Sequence, residues 1–168
     1  DWDEVISTFP RGELRDYLGM VSTGEVSIAV KPQYIDKLPR IFDGEVRELL
    51  ARVDDRGEME NYTELMGISH ILDRKLGDLS GGELQRVAIC ATLLKEADVY
   101  FFDEPSSYLD IYERMRMVGV VRGLAEKGKR VLVVEHDLAI LDVLCDLIHV
   151  IYGERSAYGI FTPPRSTR

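Results

Sequence analysis

The stretch that decides the fold is Leu79-Ser80-Gly81-Gly82-Glu83-Leu84-Gln85-Arg86. Apolar residues recur from here at helical spacing, which predicts a helix beginning at the serine. They are Leu84, Val87, Ala88, Ala91 and Leu94. Serine is a favoured N-cap, and the two glycines leave the first backbone N–H groups uncovered. Because a helix dipole favours negative charge at this end, the octet predicts a phosphate-binding helix N-terminus formed by Ser80, Gly81 and Gly82.

Two adjacent carboxylates follow the next apolar run. Asp103 and Glu104 come directly after residues 99–102, an uninterrupted run typical of a buried parallel strand. Ligands of α/β sheets bind at the carboxyl ends of such strands. Adjacent carboxylates there suit a magnesium ligand, Asp103, and a residue that orients or deprotonates the attacking water, Glu104.

Two further polar residues are predicted at the same edge. His136 follows the apolar run 131–134 and can donate a hydrogen bond to a γ-phosphate oxygen. Gln33 follows a strand predicted from Val26 to Val30, which Lys31-Pro32 should end, and its amide can contact Mg²⁺ or the lytic water. Asp110 stands near the start of the next predicted helix, where the dipole favours it with or without a role in catalysis. His70 and His149 have no such setting, and we interpret both as structural.

The order of segments predicts an α/β domain with a mostly parallel sheet. Three apolar runs, 99–102, 131–134 and 147–151, alternate with helices predicted at 111–127 and 138–145, which indicates a sheet covered on both faces. The whole chain, 1–168, is divided into four parts: a helix-loop-helix at 2–20 broken at Pro10-Arg11-Gly12, a helical region at 44–97, a core at 98–162 and the start of a hinge at 163–168. Tyr158 to Phe161 is predicted as a final edge strand, and Pro163-Pro164 as the end of regular structure.

Composition narrows the class of protein. A length of 168 residues with 45% hydrophobic residues fits one domain with a real core. Thirty acidic against 21 basic residues give a net charge of -9, which argues against general affinity for nucleic acid or anionic membrane. Cys90 and Cys145 lie in apolar segments without metal or disulfide spacing, so we expect packing residues, a reducing environment and a cytoplasmic location. No long apolar run or signal peptide is seen, so no membrane contact is expected.

One motif that phosphate chemistry requires is absent from residues 1–168. No segment fits the P-loop pattern G-x-x-x-x-G-K-[ST]. Gly123 to Lys129 matches as far as the lysine, but Arg130 replaces the hydroxyl and the segment joins a helix to a strand, whereas a P-loop joins a strand to a helix. We therefore expect a partial nucleotide-binding domain that lacks its N-terminal strand and phosphate loop.

The motifs resemble those of a known family. The octet, Phe101-Phe102-Asp103-Glu104-Pro105 and Val134-Glu135-His136-Asp137 resemble the signature, Walker B and switch-histidine motifs of ABC ATPases. Lys31-Pro32-Gln33-Tyr34, Pro105 to Asp110 and Tyr152 to Thr162 resemble the first nucleotide-binding domain of the RNase L inhibitor family, twin-cassette ATPases that split ribosomes for recycling. The resemblance implies a P-loop-NTPase-like fold with a helical signature subdomain. The family's iron-sulfur clusters, adenine-stacking aromatic residue and P-loop would all precede Asp1.

The resemblance also implies roles, cofactors and partners. ATP and Mg²⁺ are the implied cofactors, with Glu104 as base, Asp103 holding Mg²⁺ through water, and Gln33 and His136 as sensors. Ser80, Gly81 and Gly82 would contact an ATP held by a second cassette of the same polypeptide. We assign Gln85 and Asp110 to the same nucleotide site. Residues 2–20 would contact the small ribosomal subunit.

Three functions remain in competition. The first is ATP hydrolysis that drives splitting of ribosomal subunits. The second is a nucleotide-binding subunit of an ABC transporter. It would share the signature, Walker B and switch-histidine motifs, but the 2–20 insertion and the 152–162 stretch are not expected in it. A non-hydrolysing binding fragment is the third, because the main phosphate cradle is missing, and we expect negligible turnover by residues 1–168 alone.

Overall fold

The computed structural model describes residues 1–154 and 156–167, and its centre is a parallel sheet. The strands are β1 (Ile28–Lys31), β2 (Val99–Asp103) and β3 (Arg130–Val134), in the order β1-β2-β3. Lys31 pairs with Phe102, which pairs with Val133, so all three strands end at one edge. The predicted parallel sheet is confirmed, and β2 and β3 lie within one residue of their predicted bounds. The first strand lies later than predicted and includes Lys31.

The N-terminal segment forms the predicted pair of helices. They are α1 (Trp2–Ser7) and α2 (Glu13–Thr23). The second helix continues past residue 20 and ends at Gly24, which adopts a left-handed conformation with φ 77°. Apolar side chains remain on the surface of this pair, including Trp2 and Leu14, which are 48% and 56% exposed.

A group of short helices surrounds one long buried helix. They are α3 (Leu38–Ile41), α4 (Val46–Val53), α5 (Met59–Leu65) and α6 (Gly81–Leu93), with 3₁₀ turns at Ser69–Ile71 and Leu76–Asp78. Helix α6 contacts α4, α5, β1 and β2, and its Val87, Ile89 and Leu93 are fully buried. Because α6 joins the helical group to the sheet, the position of its N-terminus is fixed relative to the ends of the strands.

The C-terminal half adds α7 (Ile111–Glu126) and α8 (Leu138–Leu144), which pack on each other. Helix α7 also packs on β3. It ends in a glycine turn, where Gly128 has φ 79° and the N–H of Lys129 donates to Leu124 O at 3.1 Å. The P-loop-like stretch Gly123 to Arg130 is therefore a helix-to-strand connection, as predicted.

The expectation that helices cover both faces of the sheet is wrong for the described residues. Ala29, Lys31, Tyr100 and Phe102 face the helices and are buried, whereas residues on the other face remain open. Ile28, Val30, Leu132 and Val134 are 43% to 55% exposed. An uninterrupted apolar run shows that both faces of a strand are apolar, but it does not supply the element that covers the second face.

The apolar run 147–151 does not form one strand of the parallel sheet. It divides into β4 (Leu147–Ile148) and β5 (Ile151–Glu154), each in a separate antiparallel pair. The partner of β5 is β6 (Tyr158–Phe161), which is thus a hairpin strand, and that of β4 is β7 (Arg165–Ser166). Pro163-Pro164 therefore does not end regular structure. The apolar run is divided at Val150, whose N–H donates to the Thr162 hydroxyl at 2.8 Å.

Both cysteines are free thiols in apolar surroundings, as predicted. Cys90 is fully buried, and burial raises the pKa of its thiol to about 12. Cys145 is half-buried, and burial raises its pKa as well. In the described part of the chain, none of the helices has the length and apolarity needed to cross a bilayer.

Candidate active site

The candidate site lies where β1, β2 and β3 end. Glu104 follows the last residue of β2, and its N–H donates to Val134 O of β3 at 2.8 Å. Its backbone is left-handed, with φ 46°, which is uncommon for a residue with a long side chain. Such a conformation costs on the order of 1–3 kcal/mol and persists only where its surroundings enforce it.

Two predicted side chains, those of Gln33 and His136, lie at the Glu104 carboxylate. The Gln33 amide donates to Glu104 Oε1 at 2.9 Å, and His136 Nδ1 lies 3.9 Å from the same oxygen. The Ser107 hydroxyl donates to the other oxygen, Oε2, at 3.3 Å. The His136 side chain is 76% exposed, whereas that of Glu104 is 29% exposed. The carboxylate is therefore held by Gln33 and Ser107 beside a largely exposed imidazole, whose Nδ1 also lies 3.5 Å from Glu135 Oε1.

Asp103 stands beside this group as the last residue of β2. It is half-buried, and among the described residues its carboxylate makes no hydrogen bond, so both oxygens can accept one from water. In the described part of the chain, no cluster of three or more potential ligands is arranged to hold a metal. Mg²⁺ is commonly bound by one or two carboxylates together with water and substrate phosphates, and Asp103 fits that donor set.

The octet forms the predicted capped helix start. Ser80 is the N-cap of α6, and the Ser80 hydroxyl accepts from Glu83 N at 3.3 Å while Glu83 Oε2 accepts from Ser80 N at 2.8 Å. Ser80 and Gly81 are exposed. A Cβ on Gly82 would lie 3.0 Å from the Tyr108 carbonyl oxygen, so glycine allows the loop after Glu104 to approach the helix.

Two residues assigned to the nucleotide site have other contacts. Gln85 is fully buried, and its amide donates to Glu104 O at 2.9 Å and Pro105 O at 3.0 Å, so it contacts the turn after β2 and lies away from solvent. Its place on the buried face of α6 explains the difference. Asp110 is the N-cap of α7, and its carboxylate accepts from Glu113 N at 2.9 Å. This contact fits the structural interpretation of Asp110, in which it stabilises the start of the helix.

Sequence analysis missed two charged residues that are buried beneath the site. Lys31 is fully buried, and its ammonium donates to Asp103 O at 2.8 Å. Burial lowers the pKa of Lys31 from 10.5 to about 8, although Asp103, Glu104 and Glu135 oppose the shift. The Glu135 side chain is 0% exposed. The only sequence signal for either is a charged residue at the end of an apolar run.

Comparisons with known proteins identify the family of the chain. The model of the ABC transporter family matches residues 11–107. The chain belongs to this family of ATP-binding cassettes. An uncharacterized ABC transporter ATP-binding protein of Methanocaldococcus jannaschii is 46% identical over all 168 residues, which cover 27% of that relative.

Two solved structures place the chain within the family. The archaeal ribosome recycling factor aABCE1, solved with the ribosomal stalk protein aP1, matches 99% of this chain with 51% identity and a TM-score of 0.95. A structure described as RNase-L Inhibitor matches with the same values. The chain covers 32% of each, so it spans about a third of their length. The predicted cassette fold and the resemblance to the RNase L inhibitor group are confirmed.

Proposed function

We propose that this chain provides the hydrolytic half of an ATP site, with Glu104 as the base. The observation that carries the proposal is the convergence of Gln33 and His136 on one oxygen of the Glu104 carboxylate, at 2.9 and 3.9 Å. A general base needs this kind of positioning before its basicity matters. Three segments that are distant in sequence contribute to this arrangement. A carboxylate that was simply exposed at a strand end would not need such contacts.

Each side chain has a distinct task in the proposed reaction. Glu104 orients the attacking water and accepts its proton, while Gln33 holds the carboxylate in place. His136 turns to donate a hydrogen bond to the terminal phosphate. Asp103 would hold Mg²⁺ or its bound water, and the ion would supply charge neutralisation on the phosphates.

The phosphate cradle and the opposing nucleotide lie outside residues 1–168 in this proposal. A P-loop from elsewhere in the polypeptide would hold the ATP that Glu104 hydrolyses. The exposed end of α6 would contact an ATP held by a second cassette, since Ser80 and Gly81 face solvent. ATP would then join two cassettes, and hydrolysis would release them.

We further propose that the hydrolysis drives splitting of ribosomal subunits. Support comes from the similarity to the archaeal ribosome recycling factor and from the α1–α2 pair, whose apolar side chains remain exposed. Residues 2–20 would contact the small subunit. Because the chain carries a net charge of -9, this contact must be local rather than a general attraction to RNA. A transporter subunit is the alternative, since the matching family model is that of ABC transporters.

Glu104→Gln in the intact polypeptide tests both proposals. Loss of the base should lower ATP turnover by about 100-fold or more while ATP remains bound. The trapped closed state should also increase ATP-dependent co-sedimentation with small ribosomal subunits. Glu126→Gln, which changes an exposed carboxylate at the end of α7, is the matched control. Normal turnover by Glu104→Gln would reject the base, and absence of nucleotide-dependent co-sedimentation would reject the recycling role.

A further inference from the structure

Lys31 places a buried cation under the turn that carries the two catalytic carboxylates. Its ammonium donates to Asp103 O at 2.8 Å and to Glu104 O at 3.4 Å. A fully buried lysine is rare unless it is paired, because removing the charge from water is costly. Asp103, Glu104 and Glu135 lie near enough to favour its charged form, so the cation offsets an excess of negative charge at this edge.

The same turn is held from a second direction by Gln85. Its amide donates to the carbonyls of Glu104 and Pro105, so two side chains bind three consecutive carbonyl groups. One comes from β1 and the other from α6. These bonds account for the left-handed backbone of Glu104, which would be unfavourable without external support.

The short segment from Lys31 to Gln33 contacts both ends of Glu104. Lys31 binds the main-chain carbonyl, and Gln33 binds the carboxylate oxygen Oε1 at 2.9 Å. Lys31 belongs to β1 and pairs with Phe102 of β2, so the ammonium is placed by the sheet register rather than by a loop. The main chain and the side chain of Glu104 are therefore both contacted by one short segment, the end of β1 and the start of the loop that follows it.

We propose that Lys31 is a positioning residue for hydrolysis, which fixes the direction of the Glu104 carboxylate by holding the carbonyls of Asp103 and Glu104. This inference rests on the proposed function. Lys31 is buried beneath the turn, so it acts through the main chain of Asp103 and Glu104 rather than by direct contact with the phosphates.

Lys31→Met in the intact polypeptide removes the ammonium and keeps an unbranched apolar stem. Because misplacement of a catalytic group by about 1 Å can cost a hundredfold in rate, we expect kcat for ATP to fall by roughly 10- to 100-fold. KM should stay within about threefold of the original value, since ATP binding does not involve Lys31. Lys37→Met is the matched control, because Lys37 is an exposed lysine of the same segment, and it should hydrolyse ATP normally.

Hydrogen exchange supplies a readout that does not depend on activity. The Glu104 N–H donates to Val134 O, and the Ser107 N–H donates to Glu104 O. Both amides should exchange at least about tenfold faster in Lys31→Met, but not in Lys37→Met. If the unaltered protein shows no hydrolysis, the proposed function fails while the exchange experiment still decides whether Lys31 holds the turn.

Several outcomes would overturn the role of Lys31. Unchanged kcat in a folded Lys31→Met variant would do so, as would a rise in KM alone or unchanged exchange at Glu104. If Lys31→Met does not fold, Lys31→Gln replaces it, since the Gln amide keeps one neutral donor. That variant should lose less kcat than the range expected for Lys31→Met, and kcat equal to that of the unaltered protein would contradict the proposal.

Discussion

At the scale of single residues, Glu135 shows how a buried carboxylate organises this edge. Its Oε1 accepts from His136 N at 2.9 Å and Asp137 N at 3.3 Å, and its Oε2 accepts from Ser106 N at 3.3 Å. One side chain therefore joins the loop after β2 to the loop after β3. Hydrogen bonds to a charged group are worth more than neutral ones, about 1.5–3 kcal/mol each.

Glu135→Ala should destabilise the chain, because it leaves three N–H groups without their acceptor and Ser106 is buried. We expect the free energy of unfolding to fall by about 1–3 kcal/mol, measured by urea titration. Asp142→Ala removes an exposed carboxylate of α8 and should change it by less than about 0.5 kcal/mol. Equal stability of the two variants would show that Glu135 does not hold the loops.

At the scale of elements, the start of α6 depends on an ionised capping box. The Ser80 backbone N–H, which binds Glu83 Oε2, is the main reason that the pKa of Glu83 lies below its ordinary value, and Arg74 adds a 2.8 Å ion pair. The folded pKa is lower than the unfolded one. The stabilisation is therefore complete above pH 4.5 and is lost as the pH falls through the lower folded value.

Glu83→Gln should remove this pH dependence, because the amide does not ionise. The difference in Tm between the original chain and Glu83→Gln should be largest above pH 4.5 and should shrink below it. Glu64→Gln changes an exposed carboxylate of α5 and serves as the control. Thermal unfolding followed by circular dichroism across the acid range measures both. A constant difference at every pH would contradict a capping role for ionised Glu83.

The bounds of elements were predictable where one period runs without interruption. Helix α7 and strand β3 each agree within one residue, because a helical stripe and an apolar run are local signals. The run 147–151 was wrongly predicted as one strand of the parallel sheet. Its pairing partners lie beyond residue 157, and no local pattern specifies which strands pair. The burial of Gln85 was not predictable for a related reason. A motif identifies a helix, whereas burial depends on the side of the helix that meets the core.

The candidate site was predictable in part, and the missing part consists of buried charges. Gln33, Glu104 and His136 were found because each follows a strand, and parallel strands end at one edge. Lys31 ends β1 and Glu135 follows β3, but a charged residue at such a place normally faces solvent. Only the packing of β1 beneath the turn, and of Ser106 over Glu135, makes them internal.

At the scale of the whole molecule, one face of the parallel sheet is exposed in the described residues. Helices cover one face, while Ile28, Val30, Leu132 and Val134 leave an apolar band on the other in the described residues. The side chains of the candidate site lie at the end of the strands that form this band. The same 168 residues contain no P-loop motif, so they carry the proposed base, Glu104, without the main phosphate cradle.

Purified residues 1–168 should therefore hydrolyse ATP negligibly, at least about 100-fold more slowly than the intact polypeptide, because phosphoryl transfer depends on positioning and charge stabilisation at the phosphates. Release of inorganic phosphate over time measures the rate for both. Glu104→Gln in the 168-residue chain distinguishes its own activity from a contaminating ATPase, since a contaminant would be unaffected. Rapid hydrolysis that disappears with Glu104→Gln would mean that these residues hold ATP without a P-loop.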